Sequence, residues 1–142
     1  MKLLFVFITF LTLLISAEGF GFFQSVGAKG RVLCQGKPVD NEIVSLIEKD
    51  WFYNDELEQT TTNDNGEFEL WGMDKEVSEI DVYLQIISEC PFKSRCRRKF
   101  KSKIPKEYIT WHRKPPGELY NVPAIELSDW PLETFCNVNE TL

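Results

Sequence analysis

Ile80, Val82, Leu84 and Ile86 alternate with Asp81, Tyr83 and Gln85, and this two-residue period constrains the fold more than any other feature of the chain. Successive side chains of an extended strand point to opposite faces, so such a segment buries one face and wets the other. The pattern recurs. Val26, Ala28, Gly30, Val32 and Cys34 alternate with Gly27, Lys29, Arg31 and Leu33. Residues 42–49 are apolar on both faces in their middle, through Ile43, Val44, Leu46 and Ile47, and 56–62 make a third run. Phe68 and Leu70 share a face within 67–71, while Arg98, Phe100, Ser102 and Ile104 define the inner face of a later strand. Residues 119–127 and a closing stretch near 130–136 complete the set. Turn residues separate the runs. Gln35-Gly36-Lys37-Pro38 is one such turn, and Asn65-Gly66 tolerates the positive φ of a two-residue hairpin. At most one short helical turn is expected, near 74–78 or 106–110. Seven to eight short strands punctuated in this way predict an all-β sandwich.

The amino end predicts export. Lys2 precedes an apolar run over 3–15 broken only by Thr9 and Thr12, and small residues follow at Ser16, Ala17 and Gly19. This is the anatomy of a signal peptide within residues 1–19, with cleavage expected after Ala17 or Gly19. The run is shorter than the roughly 20 apolar residues of a membrane span, and no other segment has that length. Residues 20–142 are then one secreted, extracellular domain. Its four cysteines, Cys34, Cys90, Cys96 and Cys136, read as two disulfides in an oxidising compartment. Of the three connectivities, strand placement favours Cys90–Cys96, closing the loop between the fifth and sixth strands, and Cys34–Cys136, tying the ends of the domain. Metal and cofactors are not expected, because the cysteines do not form two C-x-x-C pairs and His112 is the only imidazole.

Charge is distributed unevenly. The formal net charge is −6, yet the stretch 93–106 holds eight basic residues and no acidic one. Arg95, Arg97, Lys99, Lys101 and Lys103 occupy successive odd positions, so a strand places all five on one face, over roughly 26 Å. This stripe suits an anionic cell surface, a lipid headgroup, a sulfated glycan or an acidic protein. The plainer reading is a solvated face whose lysines discourage edge-to-edge pairing. Nucleic acid is not an expected partner for an acidic secreted protein. Asp50, Asp55, Glu56 and Glu58, with Asn63, Asp64 and Glu67, supply oxygen donors of the kind that hold Ca²⁺, but their order matches no EF-hand loop, and solvated hairpin ends are the expectation. Beside them Trp51, Phe52 and Tyr53 form either a contact patch or core. Asn139-Glu140-Thr141 is a candidate glycosylation sequon near the carboxyl end.

Between Val26 and Cys136 the chain resembles the nematode transthyretin-like family. The matching segments are Val26-Gly27-Ala28-Lys29-Gly30-Arg31-Val32-Leu33-Cys34 with Gly36-Lys37-Pro38, and Thr62-Asn63-Asp64-Asn65-Gly66-Glu67-Phe68-Glu69-Leu70-Trp71-Gly72. Ile80-Asp81, Tyr83-Leu84, Cys96-Arg97-Arg98-Lys99-Phe100 and Lys103-Ile104-Pro105 through Tyr108-Ile109 continue the match. Val82 and Ser88-Glu89-Cys90 depart from the usual pattern, and Glu133-Thr134-Phe135-Cys136 keeps only part of the acidic closing motif. The resemblance implies a transthyretin-like sandwich, secretion, and binding at cell surfaces or of lipid and other hydrophobic ligands. The hydrolases of this fold that open 5-hydroxyisourate use two histidines, an arginine and a Tyr-Arg-Gly-Ser tail. This chain has His112 alone and ends Asn139-Glu140-Thr141-Leu142. With the cysteines bridged there is no free thiol. The expectation is therefore a non-enzymatic binding or bridging protein acting through the basic strand, with a carrier of a small hydrophobic ligand as the alternative.

Overall fold

The computed structural model describes residues 21–50, 53–91, 96–112, 114–129 and 133–136. The expected signal peptide, Trp51, Phe52, Arg95 and the Asn139 sequon lie outside them. The elements in chain order are β1 (Phe22–Cys34), β2 (Lys37–Pro38), β3 (Ile43–Lys49), β4 (Asn54–Thr61), β5 (Glu67–Glu76), β6 (Val82–Ser88) and β7 (Cys96–Lys103). A short 3-10 turn at Lys106–Tyr108 leads to β8 (Tyr120–Asn121), β9 (Ile125–Glu126) and β10 (Glu133–Cys136). No helix among the described residues is long and apolar enough to cross a membrane.

The strands form two five-stranded sheets. In the first, β1 is the common partner, antiparallel to β2 and β5 and parallel to β8 and β9. The second runs β10-β7-β6-β3-β4, every neighbour antiparallel. Their inner faces carry the even-numbered residues that the alternation selects. Val26, Ala28, Val32, Phe68 and Leu70 come from the first sheet, and Val44, Leu46, Val82, Leu84, Ile86 and Phe100 from the second. Each of these side chains except that of Ala28 contributes roughly 1.5–3 kcal/mol on leaving water. Gly72 lets the sheets approach: a Cβ there would lie 2.8 Å from the Leu57 Cβ.

Several boundaries differ from the sequence reading. β1 begins at Phe22 and β5 runs on to Glu76. The strand expected over 119–127 is two short pieces. Pro123, which cannot donate to a ladder, sits in the gap, while Val122 and Leu127 donate to the carbonyls of Lys29 and Leu33 on β1. Asn65-Gly66 does turn the chain, with Gly66 at φ 73°, but it does not make a hairpin. The strands it joins, β4 and β5, belong to opposite sheets. The Asn63 carboxamide holds this crossing, accepting from the amides of Asn65 and Glu67. Gly66 completes it by accepting from the Val32 amide.

Both expected cysteine pairings are overturned. The bond is Cys34–Cys90, with Cα atoms 6.0 Å apart. Cys34 follows Val32 and Cys90 follows Ser88 on inward-pointing positions, one from each sheet, so the bridge crosses the sandwich instead of closing the β6–β7 loop. Cys96, also disulfide-bonded, lies in register with Cys136 across β7 and β10.

Candidate functional site

β7 lies between β10 and β6, and its even residue Phe100 is buried at 3 % exposure. The opposite phase sends Arg97, Lys99, Lys101 and Lys103 to the outer face, the four members of the predicted stripe that fall within the described residues. Their neighbours relieve the repulsion that a row of like charges would suffer. The Lys103 ammonium is 2.5 Å from Asp81, Lys99 is 4.0 Å from Glu133, and Arg97 is 4.0 Å from Glu89. Lys101 stands over the Tyr83 ring, 4.1 Å from its centroid. The hydrogen bond to Asp81 raises the pKa of Lys103 above its ordinary value. All these side chains keep substantial contact with solvent, and ion pairs of that kind contribute only about 0–1 kcal/mol. An anionic ligand can therefore displace the Glu89 and Glu133 carboxylates at small cost.

The same outer face carries a shallow groove of about 200 Å³ beside the stripe, lined by Ile43, Ser45, Glu56, Gln59, Gln85, Ile87 and Arg97. Register explains it: Ser45 pairs with Gln85, and Ile87 with Lys99. A larger cleft of about 440 Å³ borders the Cys34–Cys90 bridge. Glu42 sits in it, its pKa raised chiefly by burial against the opposing hydrogen bond from the Ser88 hydroxyl.

The acidic residues singled out in the sequence do not converge. Asn63 and Glu67 serve the crossing turn, and Glu56 and Glu58 are exposed along β4. Only Asp50 and Asp55 meet, and they meet at Glu48. Glu48, Asp74 and Glu76 form a second triple. Sequence reasoning passed over these three, although a legible signal existed. Val44-Leu46-Glu48 and Phe68-Leu70-Gly72-Asp74-Glu76 are inner-face series that turn acidic at the same end of the sandwich. Burial first, then a hydrogen bond with Asp74 and the charges of Asp50, Asp74 and Glu76, push Glu48 up to about 8. His112 is exposed on a loop, its Nδ1 accepting from the Lys114 amide.

A two-sheet β-sandwich cross-linked between its sheets, with a basic stripe on one outer sheet face, is the class these features define. The transthyretin-like family model matches residues 29–105, and the chain belongs to that family. Transthyretin-like protein 5 of Caenorhabditis elegans is 36 % identical over 74 % of this chain and 77 % of its own. Transthyretin-like protein 2 of the same organism is 32 % identical over 87 % of this chain and 89 % of its own.

Proposed function

We propose that this protein is a secreted, non-catalytic binding or bridging module that recognises an anionic surface through the outer face of β7. The observation that carries the reading is the alignment of Arg97, Lys99, Lys101 and Lys103 on one exposed sheet face, held by carboxylates that a stronger anion can replace. Attraction of about 1 kcal/mol per basic residue near an anionic membrane is enough for peripheral binding. The signal-peptide anatomy of residues 1–19 supports an extracellular setting. Support for a non-catalytic role comes from the sequence, whose single imidazole, His112, stands exposed on a loop. The carrier reading has less support, because the space between the sheets is filled by side chains at 0–8 % exposure and the clefts beside the stripe and the disulfide open to solvent.

The test is cosedimentation with vesicles of neutral lipid, or of neutral lipid doped with phosphatidylserine, across a salt series. Binding should require the anionic lipid and weaken as salt rises. An Arg97→Glu/Lys99→Glu/Lys101→Glu variant should lose it at least tenfold while keeping its β-sheet circular dichroism. Binding unchanged by the triple substitution sinks the proposal.

A further inference from the structure

The acidic end of the sandwich lies between the two sheets, away from the basic face. Glu48 is the penultimate residue of β3 in the second sheet, paired with Val82. Asp74 and Glu76 end β5 in the first sheet, paired with Gln24 and Phe22 of β1. One carboxylate oxygen from each lies within 4.8 Å of those of the other two, and a Glu48 oxygen stands in the same relation to one oxygen each of Asp50 and Asp55. Crowding of this kind is common on protein surfaces and means little there. Glu48 is not on the surface. It is only 3 % exposed, and its Oε2 is buried without a hydrogen-bond partner among the described residues. A buried carboxyl oxygen left unpaired is costly, and native structures rarely carry one without a reason.

Among the described residues, no nearby cation is paired with this carboxyl. Lys49 and Lys75 occupy outward positions and are exposed, and Lys75 gives the cluster only its backbone amide, 2.6 Å from Asp74 Oδ1. Gln24, beside Asp74 in the ladder, is spent elsewhere: its amide donates to the Ser78 carbonyl and its oxygen accepts from Ile80.

We propose that Glu48, Asp74 and Glu76 form a Ca²⁺ site that ties the end of β3 to the end of β5, beside the second triple that Glu48 makes with Asp50 and Asp55. The chemistry is that of a hard cation taking oxygen ligands. Ca²⁺ accepts six to eight of them at about 2.3–2.6 Å in irregular geometry, so two ligands of one ion stand at most about 5 Å apart, the spacing found in this cluster. Mg²⁺ demands a tighter octahedron and keeps its water, which disfavours a set drawn from two sheets. Oxygen donors without thiolate or imidazole also set aside zinc and copper. The ion would supply the partner that Glu48 Oε2 lacks, and would replace repulsion between the sheets with attraction.

Calorimetric titration of the EDTA-treated protein with CaCl₂ at fixed ionic strength, paired with thermal melts, tests this. A saturable one-to-one isotherm is expected. For the weak affinities typical of extracellular modules, about 10 mM Ca²⁺ should raise Tm by roughly 5 °C, with Mg²⁺ giving a clearly smaller shift. Glu48→Gln should abolish the isotherm and the shift while its calcium-free Tm equals or exceeds that of the parent, since one of the crowded carboxyls is gone. Asp74→Asn/Glu76→Gln is a second variant that leaves the buried position intact and should weaken binding at least tenfold. No saturable isotherm in the parent overturns the proposal. So does an isotherm and Tm shift that survive in both variants, because such binding would belong to surface carboxylates.

Discussion

Glu126 illustrates how much one half-buried carboxylate can organise. It lies on β9, and its two oxygens accept from the amides of Gln35 and Gly36 at 2.8 Å each. The Ser128 hydroxyl and amide bind it as well. Gln35 and Gly36 both have positive φ, at 52° and 73°, so their amides converge on a single point and the carboxylate fixes the β1–β2 turn. These bonds, led by that from the Ser128 hydroxyl, hold the Glu126 pKa at about 2. A carboxyl group in an unfolded chain titrates near about 4.3. Its folded-state pKa is the lower of the two, so the contribution is full above about pH 4.3 and is lost as pH falls toward 2. Glu126→Gln should therefore lower stability at pH 7 by about 1 kcal/mol, the solvent-screened end of the range for charged hydrogen bonds. Urea titrations at several pH values should show the gap between parent and variant closing below about pH 4. A gap that persists unchanged at about pH 2 contradicts the assignment. Nothing in the sequence around Glu126 announced this role, because the turn that it serves lies some 90 residues away.

At the scale of the element, β7 shows what period-two reading delivers and where it stops. Phe100 and Lys101 are adjacent, yet Phe100 is 3 % exposed in the core and Lys101 stands over Tyr83 on the outside. Phe100→Ala should cost about 3–5 kcal/mol and Lys101→Ala less than about 1 kcal/mol. Guanidinium denaturation of the two variants checks both, and comparable losses would mean that Phe100 and Lys101 do not face opposite sides of the strand. The alternation made this orientation legible from the residues alone. It did not make legible the carboxylates facing the stripe, because Glu89, Glu133 and Asp81 reach it from different segments. Asn65-Gly66 failed as a hairpin signal for a related reason. The dipeptide encodes a local bend, whereas the sheet that each flanking strand joins is decided by distant partners, β3 for β4 and β1 for β5.

For the whole molecule, the disulfide links the sheets at one end of the core. The sequence placed Cys34 at the end of the first strand and Cys90 and Cys96 at the facing ends of the fifth and sixth but could not say which strand end lies over which. Peptide mapping under non-reducing conditions should recover Cys34 joined to Cys90, and a Cys90–Cys96 peptide would refute this cross-sheet pairing. Removing the bridge by Cys34→Ala/Cys90→Ala frees a loop of 56 residues' separation and should cost about 4 kcal/mol in the chain-entropy account, read from the denaturation midpoint. The arrangement of the first sheet has a consequence for how the chain is made. β2, β5, β8 and β9 each pair with β1, and β8 and β9 lie near the other end of the sequence. During synthesis the hub strand emerges first and its last partners emerge almost at the end. One long strand thus waits with an open edge, a template for pairing with the wrong chain, until nearly the entire domain has left the ribosome.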